Sequence, residues 1–274
     1  AVVGQDCQPP HEVRFEPFFV PRSPVIRERD RGAELTRQLT AIARTIFNRQ
    51  PGRGLAFLVA TGCVRDYPIN LVSFLRSSNL DIAQIGVFLG EDFSLSKILR
   101  MEFINSVGFL HSGVVASLTS TFTNFRAPPD LQKADRILCS LADVWWRQHR
   151  SVVAPRETPA TGDQGEPTPS GEPRGLELKR LLPGPGALHQ LLFSAMMLHW
   201  NLHAPLPRSQ RLSLKSWLEM NRGIAGARGD LPDGALKRIY EAVSGFELQQ
   251  LRFGGSLPTS TGSPQPPGSL HGES

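Results

Sequence analysis

The sequence predicts an all-α fold. Apolar residues recur three and four positions apart through most of the 274-residue chain, which is the spacing of one face of a helix. No segment shows sustained alternation of apolar and polar residues between hairpin turns, the pattern of a half-buried strand. Short links that contain glycine or proline separate the helical segments. We therefore expect an array of short helices.

Four helices are predicted in the first third of the chain. The first begins near Arg27 and ends before Pro51, and two short apolar helices follow at 54–61 and 68–76. Asp81 is suited to cap the fourth helix, because its carboxylate can accept from the free N–H groups of the first turn. The apolar faces of these helices contain Leu35, Leu39, Ile42, Ile46, Leu71, Phe74, Leu75, Ile82, Ile85 and Leu89.

Three more helices are predicted before residue 150. Ser94 is the expected cap of the first, and the second is a helical pattern over 114–125 that the two prolines at 128–129 bring to an end. The third helix then begins at Asp130. The apolar positions behind these predictions are Leu95, Ile98, Leu99, Phe103, Leu118, Phe122, Phe125, Leu131, Ala134, Leu138, Leu141 and Trp145.

The composition divides the chain into a domain and three irregular parts. We expect an irregular, proline-rich leader at 1–26, a disordered Pro/Gly/Thr/Ser/Glu-rich insertion at 151–186, and a disordered tail at 254–274. The domain itself is expected to cover 27–253. After the insertion, helical patterns resume at 187–203, 212–220 and 233–243.

The charge balance is only mildly informative. The chain carries 30 Lys and Arg against 25 Asp and Glu, a net charge of +5. This excess fits an anionic partner or a membrane surface, and it equally fits ordinary solubility. Basic residues are dispersed among acidic ones and form no stripe with aromatics, so we expect no nucleic-acid partner.

Cysteine usage and hydropathy indicate a reduced compartment. Cys7, Cys63 and Cys139 lack the spacing of metal ligands. Cys63 and Cys139 lie in apolar stretches, so we expect inert core thiols in a cytosolic chain. No apolar run approaches the roughly 20 residues that a membrane-spanning helix needs.

One carboxylate directly follows an apolar helix. Residues 85–91 read Ile-Gly-Val-Phe-Leu-Gly-Glu, so Glu91 follows the glycine that ends the predicted helix. Taken alone, such a carboxylate is in most proteins a solvated surface residue.

Three later elements change that interpretation. Residues 125–136 read Phe-Arg-Ala-Pro-Pro-Asp-Leu-Gln-Lys-Ala-Asp-Arg, and residues 191–205 read Leu-Leu-Phe-Ser-Ala-Met-Met-Leu-His-Trp-Asn-Leu-His-Ala-Pro. Met-Asn-Arg-Gly-Ile at 220–224 and Gly-Asp-Leu-Pro at 229–232 follow. In this order they resemble the Sec7 domain, the module that removes GDP from ARF-family small GTPases.

The resemblance includes both signatures of that family. The first is matched at Phe125, Arg126, Pro128, Gln132, Lys133, Asp135 and Arg136, while Asp130 keeps the acidic character of a family Glu. The second is matched at Phe193, Met197, Leu198, Leu202, His203 and Pro205. It departs at His199, Trp200 and Ala204, where the family has Asn, Thr and Asn.

The resemblance implies an elongated, right-handed helical array with a hydrophobic groove on one face, which grips the switch regions of the GTPase. It implies nucleotide exchange in which Glu91 is a catalytic "glutamic finger" that repels the GDP phosphates and competes for Mg²⁺. It implies that Glu91 acts beside a partner-binding groove formed by Phe125, Arg126, Pro128, Gln132, Lys133, Asp135, Phe193, Met197, His199, Trp200, Asn201 and His203.

The same resemblance sets the expected partners. An ARF-family GTPase is the partner, and the exchanger has no cofactor of its own, because GDP, GTP and Mg²⁺ belong to the GTPase. No covalent bond is made, so the chain is a regulatory catalyst rather than a conventional enzyme. We expect a cytoplasmic protein recruited peripherally to Golgi, endosomal or plasma membranes through regions outside this chain.

Two alternatives to this interpretation have some support in the sequence. His199, Trp200 and Ala204 are the reason to consider an inactive Sec7-like interaction scaffold. His199 and His203 stand four apart as in zinc proteases, but position 200 lacks the glutamate that such a site requires, so we expect no metal. No nucleophile motif and no glycine-rich phosphate loop is found in the sequence.

Overall fold

A computed structural model describes residues 24–77, 79–150, 171–226 and 229–251. Within these ranges the chain forms α-helices and no strand, which confirms the predicted all-α class. The helices are α1 (Pro24–Phe47), α2 (Pro51–Ala60), α3 (Pro68–Ser77), α4 (Ile82–Gly90), α5 (Ser94–Asn105), α6 (Val114–Phe122), α7 (Leu131–Gln148), α8 (Gly175–Leu181), α9 (Pro185–His203), α10 (Leu214–Met220) and α11 (Asp233–Gly245).

Two aspartates cap helices, and only the first of these caps was predicted. Asp81 Oδ1 accepts from the Ala83 N–H at 2.8 Å, and Asp130 Oδ1 accepts from the N–H groups of Gln132 at 2.8 Å and Lys133 at 3.3 Å. The second predicted cap is wrong by one residue: Ser94 is the first helical residue of α5, and the residue before it makes no side-chain cap.

The two long helices α7 and α9 pack against each other and organise the core. α4 and α5 pack on α7, while α6 and α11 pack on α9. α9 is apolar around most of its circumference, as a helix surrounded by other helices must be. The buried side chains on α9 include Leu188, Leu191, Leu192, Ala195, Met196 and Leu198, and large core residues around it are Phe103, Phe122, Phe125, Trp145 and Trp217.

Two glycines allow α4 to lie directly against the start of α7. A Cβ added at Gly86 would stand 1.9 Å from the Arg126 carbonyl oxygen, and one at Gly90 would stand 2.5 Å from the Lys133 Cβ. Gly86 and Gly90 are four residues apart, so they share one face of the helix. Any side chain at these positions would push α4 away from the segment that leads into α7.

The predicted apolar face of α1 is only partly buried. Ala43 and Phe47 are fully buried, whereas Leu35 is 56% and Ile42 49% exposed. α1 packs mainly against α2, which follows it and covers only its C-terminal half. The prediction of a core position is also wrong for Cys139, whose side chain is exposed on α7, while Cys63 is half-buried.

The predicted disordered insertion at 151–186 is too long at its C-terminal end. Residues 171–186 are ordered: they include α8 and the start of α9, and Leu178 and Leu182 are buried. These two leucines supply the apolar contact that the surrounding Pro/Gly-rich composition obscured. The rest of the predicted insertion (151–170), the leader up to residue 23, and the predicted tail (254–274) lie outside the described residues.

Glu172 fastens this ordered segment to α6. Its carboxylate is only 6% exposed and accepts from the N–H groups of Val115 at 2.7 Å and Ala116 at 3.0 Å, at the positive end of α6. Burial raises the pKa of the Glu172 carboxyl above its ordinary value of 4.5, and the helix N–H groups offset this only in part.

The raised pKa of Glu172 gives a testable dependence of stability on pH. The folded protein holds this proton more tightly than the unfolded chain does. The resulting contribution of Glu172 to the free energy of unfolding is therefore complete below about pH 4.5, and it is lost as the pH rises through the raised pKa. We expect the free energy of unfolding of the unmodified protein, relative to Glu172→Gln, to fall as the pH rises above about 4.5. Urea unfolding between about pH 4.5 and pH 8 measures this, and the exposed Glu241→Gln is the matched control. Parallel pH curves for the unmodified protein and Glu172→Gln would contradict it.

Candidate functional site

Glu91 lies at the C-terminal end of α4, beside α7. Its Oε1 accepts a hydrogen bond from Lys133 Nζ at 2.7 Å, and the same contact is an ion pair. The two side chains are 35% and 21% exposed, respectively. Glu91 is therefore a carboxylate whose charge is already balanced by a neighbouring ammonium group.

The loop that carries Glu91 is fixed from several sides. Arg100 is buried and donates to the carbonyls of Leu89 at 2.7 Å and Glu91 at 3.1 Å, and its Nε donates to Ser140 Oγ at 3.0 Å. Arg136 donates to the Gly90 carbonyl at 3.1 Å. Burial lowers the pKa of the Arg100 guanidinium below its ordinary value. These contacts join the end of α4 to α5 and α7.

Residues 125–130 form a rigid corner between α6 and α7, called here the Pro–Pro corner. Phe125 is fully buried against other aromatic rings, and Pro128 is buried as well. The Arg126 N–H donates to the Ile82 carbonyl and the Ala127 N–H to the Gln250 carbonyl, each at 2.9 Å. Two neighbouring prolines also restrict the backbone at 128–129. The corner therefore presents Asp130 on a fixed support.

Asp130 itself is exposed at the start of α7. Its Oδ1 caps the helix, and within the described ranges no basic side chain forms an ion pair with it. Asp130 and Glu91 are thus different kinds of carboxylate: the first is exposed with no neighbouring cation in ion-pair contact, and the second is half-buried and neutralised by Lys133.

An open groove runs along the surface between α7 and α9. Two adjoining depressions form it, and they share Asp135 and Phe193. The end nearest the Pro–Pro corner is lined by Leu131, Gln132 and Arg136. The other end is lined by His189, Gln190, Ser194 and the residues 220–224 that follow α10. We call this surface the α7–α9 groove.

The groove has an apolar floor and a polar rim. Leu131 is 43% and Met220 is 68% exposed, and Phe193 is half-buried between them. Across the floor, His189 Nε2 and Asp135 Oδ1 lie 2.8 Å apart. Met197, 38% exposed, stands one helical turn after Phe193 and extends the same face of α9. Such a surface suits the docking of a partner protein, because exposed apolar anchors are ringed by polar side chains.

Four of the twelve predicted groove residues lie in or along this groove. Gln132, Asp135 and Phe193 line it, and Met197 extends it. Lys133 lies behind it in its ion pair with Glu91, and Arg126 is exposed on the Pro–Pro corner. The prediction is wrong for Phe125 and Pro128, which are buried in the protein's own core.

The prediction also fails for the end of α9. His199 is 3% exposed, and its Nε2 accepts from the Leu248 N–H at 3.0 Å. Trp200 Nε1 donates to the Leu251 carbonyl. Six residues cover about one and two-thirds turns of a helix, so His199 points about 120° away from Phe193. Both side chains bind the chain that follows α11.

Two further predicted groove residues hold other segments. Asn201 Oδ1 accepts from the Leu212 N–H at 2.5 Å, ahead of α10. His203 Nε2 lies 3.2 Å from the Val243 carbonyl of α11. Throughout the part of the chain that the structure describes, no cluster of three or more His, Cys, Asp or Glu residues is arranged to hold a metal ion.

Sequence reasoning missed several groove residues: Leu131, Arg136, His189 and Met220. His189 and Met197 stand four residues before and after Phe193, so the helical repeat would have placed all three on one face. Met220 is a long apolar side chain at the end of a short helix, immediately before an Asn-Arg-Gly run. Its exposure is not predictable from that pattern.

The comparisons with known proteins agree with the observed fold. A model of the family described as Sec7 domain matches residues 36–248. The human brefeldin A-inhibited guanine nucleotide-exchange protein 1 is 25% identical over 206 residues, which make up 74% of this chain and 10% of that protein. Human cytohesin-2 is 26% identical over 204 residues, 74% of this chain and 43% of that protein.

A solved structure, ARF1–GDP bound to a Sec7 domain complexed with brefeldin A, matches with a TM-score of 0.61 and 19% identity, covering 80% of this chain and 96% of the matched chain. That likeness concerns the fold. The chain thus spans about a tenth of the length of the first relative and less than half of cytohesin-2. The family match covers most of the chain, including every helix that forms the α7–α9 groove. This chain belongs to the Sec7 domain family.

Proposed function

We propose that this domain is a guanine-nucleotide exchange factor for an ARF-family small GTPase. The observation that supports the proposal best is the exposed carboxylate of Asp130, which has no ion-pair partner among the described residues and directly precedes two groove-lining residues, Leu131 and Gln132. The first of the two relatives is named as a guanine nucleotide-exchange protein, and one matched structure contains ARF1–GDP. The α7–α9 groove would bind the switch regions of the GTPase.

Asp130 suits the role of the repelling acid better than Glu91. A carboxylate weakens bound GDP only if its charge reaches the phosphates and the Mg²⁺ uncompensated. Lys133 lies 2.7 Å from Glu91 and cancels most of its charge at a distance. Asp130 is the last residue of the rigid Pro–Pro corner, and its carboxylate accepts from backbone N–H groups in the first turn of α7. We therefore assign the electrostatic step to Asp130, and to Glu91 the task of holding the N-terminal turn of α7 through Lys133.

The chemistry requires no cofactor on this chain. GDP and Mg²⁺ belong to the GTPase, and the exchanger would lower their affinity without making a covalent bond. GTP, which is more abundant in cells, would then enter the empty site and release the exchanger. The protein would act in the cytoplasm, at Golgi, endosomal or plasma membranes where ARF proteins work. No described helix is both long enough and apolar enough to cross a bilayer.

The alternative of an inactive scaffold loses most of its original support. Two of the three departures from the family signature, His199 and Trp200, bind the chain after α11 and do not line the α7–α9 groove. The experiment that decides between the two functions is release of a fluorescent GDP analogue from a panel of ARF proteins. Faster release with this domain from at least one ARF supports exchange. Release at the intrinsic rate from every member overturns it.

Phe193 provides a test of the groove. It lines both depressions, and removal of a central aromatic anchor commonly costs about 2 kcal/mol of binding free energy. We expect Phe193→Ala to raise the KM for the GTPase about tenfold or more, while the rate at saturation changes much less. The dependence of GDP release on exchanger concentration measures both. Ile98→Ala, on the exposed face of α5, is the control, and an unchanged KM for Phe193→Ala would contradict docking at this groove.

A further inference from the structure

The chain after α11 crosses back over the end of α9 and reaches the Pro–Pro corner. We call residues 246–251 the C-terminal strap. It includes a short 3₁₀ turn, Gln249–Leu251, and its Leu248 and Leu251 side chains are buried. Phe246 and Leu251 lie against α6 and α9, beside Val115 and Leu118. The strap is thus packed into the domain rather than trailing from it.

Two side chains of α9 fasten this strap by its backbone. His199 Nε2 accepts from the Leu248 N–H at 3.0 Å, and His199 itself is buried. Three residues further along the strap, the Leu251 carbonyl accepts from Trp200 Nε1. An acceptor and a donor on neighbouring α9 residues therefore hold both ends of one short segment.

The strap in turn fixes the Pro–Pro corner. Between the two fastened residues, the Gln250 carbonyl accepts from the Ala127 N–H at 2.9 Å. Ala127 is 4% exposed, so this N–H has no access to water and would lose its partner if the strap moved. Asp130 follows Ala127 after only two prolines, and stiff residues transmit a displacement rather than absorb it.

We propose that the C-terminal strap, fastened by His199 and Trp200, is a positioning element that sets the placement of Asp130. The proposal rests on the proposed exchange function, since it concerns the same acid. His199 and Trp200 act at a distance, through the Leu248–Leu251 backbone and Ala127, and touch neither GTPase nor nucleotide. Two of the three departures from the family signature thereby acquire a role: a ring nitrogen and an indole N–H stand in place of two smaller polar side chains.

The first test follows the Ala127 amide directly and does not depend on exchange activity. Trp200→Phe removes the Nε1 donor and keeps an aromatic ring. Loss of one hydrogen bond commonly costs about 1 kcal/mol, or about fivefold in an equilibrium. We expect hydrogen–deuterium exchange at Ala127 to rise about fivefold in Trp200→Phe and in His199→Phe. Asn201→Ala is the control: it also removes one hydrogen bond of α9, the one that Asn201 accepts from the Leu212 N–H. This variant should leave hydrogen–deuterium exchange at Ala127 unchanged. Unchanged protection at Ala127 in both strap variants would overturn the proposal.

The second test asks whether the strap acts through Asp130. Trp200→Phe should slow GDP release about fivefold at saturating exchanger, with the KM for the GTPase within about twofold of its original value. In an Asp130→Asn background the same change should have little further effect, because coupled residues are not additive. Equal losses in both backgrounds would show a general stabilising role and overturn the positioning role. If the unmodified domain accelerates no GTPase, the proposed function fails, and the Ala127 measurement still decides whether the strap holds the corner.

Discussion

Replacing Asp130 by asparagine is expected to slow the release of GDP from ARF on the order of a hundredfold or more, while the domain remains folded. At about 4 Å and an effective dielectric constant near 20, two like charges repel by roughly 4 kcal/mol. That energy corresponds to about a thousandfold in nucleotide affinity, and the amide would abolish it. Asparagine keeps the side-chain oxygen that caps α7, so the loss in stability should stay below about 0.5 kcal/mol.

The control variants separate charge from structure. Asp130→Glu keeps the charge and adds one methylene, so it should retain exchange, whereas Asp130→Lys should abolish it by reversing the charge. Glu91→Gln breaks the ion pair with Lys133, and since a partly exposed pair contributes about 1 kcal/mol or less, GDP release should fall only a few-fold. Release of a fluorescent GDP analogue measures the exchange activity of each variant, and thermal unfolding measures its stability. The opposite order, with Glu91→Gln severely impaired and Asp130→Asn active, would return the acid role to Glu91.

The second large effect concerns the fold. Gly86→Ala is expected to lower the free energy of unfolding by about 3 kcal/mol, because the new Cβ would stand 1.9 Å from the Arg126 carbonyl oxygen. Overpacking of this kind costs about 1–3 kcal/mol, and here the obstacle is backbone, which cannot rotate away. The Pro–Pro corner would have to move, so GDP release should fall as well.

A matched glycine in another helix provides the control for Gly86→Ala. Gly234 lies in α11, and an added Cβ there meets nothing within 4 Å. Gly234→Ala should be neutral or stabilise the protein by about 0.5 kcal/mol through the lower entropy of the unfolded chain. Urea unfolding of the two variants measures the difference. Equal stability of Gly86→Ala and the unmodified protein would mean that α4 does not lie against the Pro–Pro corner in solution.

Local features of the fold were predictable where a short stretch of sequence determines them. Asp81 was recognisable as a cap because it immediately precedes a helical apolar pattern, and Asp130 was recognisable as the start of a helix. α9 was recognisable from its long apolar run, and it is the central helix. Leu178 and Leu182 show the limit: in a short segment surrounded by prolines and glycines, two buried leucines outweigh a composition typical of disorder.

The candidate site was only partly predictable, because it depends on contacts between distant residues. Glu91 and Lys133 are 42 residues apart in the chain, so spacing does not reveal that Lys133 neutralises the presumed acid. Likewise, a signature along α9 does not state which face of the helix each position occupies. His199 belongs to the same motif as Phe193, yet it binds the C-terminal strap while Phe193 lines the α7–α9 groove.

Ser112 has a consequence for the chain that lies between α7 and α8. Its carbonyl accepts from the Gly175 N–H, and its hydroxyl oxygen accepts from Trp145 Nε1, each at 3.0 Å. Ser112 is thus hydrogen-bonded both to the last turns of α7 and to the first residue of α8. The neighbouring ends of α7 and α8 are therefore held together by hydrogen bonds to a third segment, and this junction does not depend on the chain that connects the two helices in sequence.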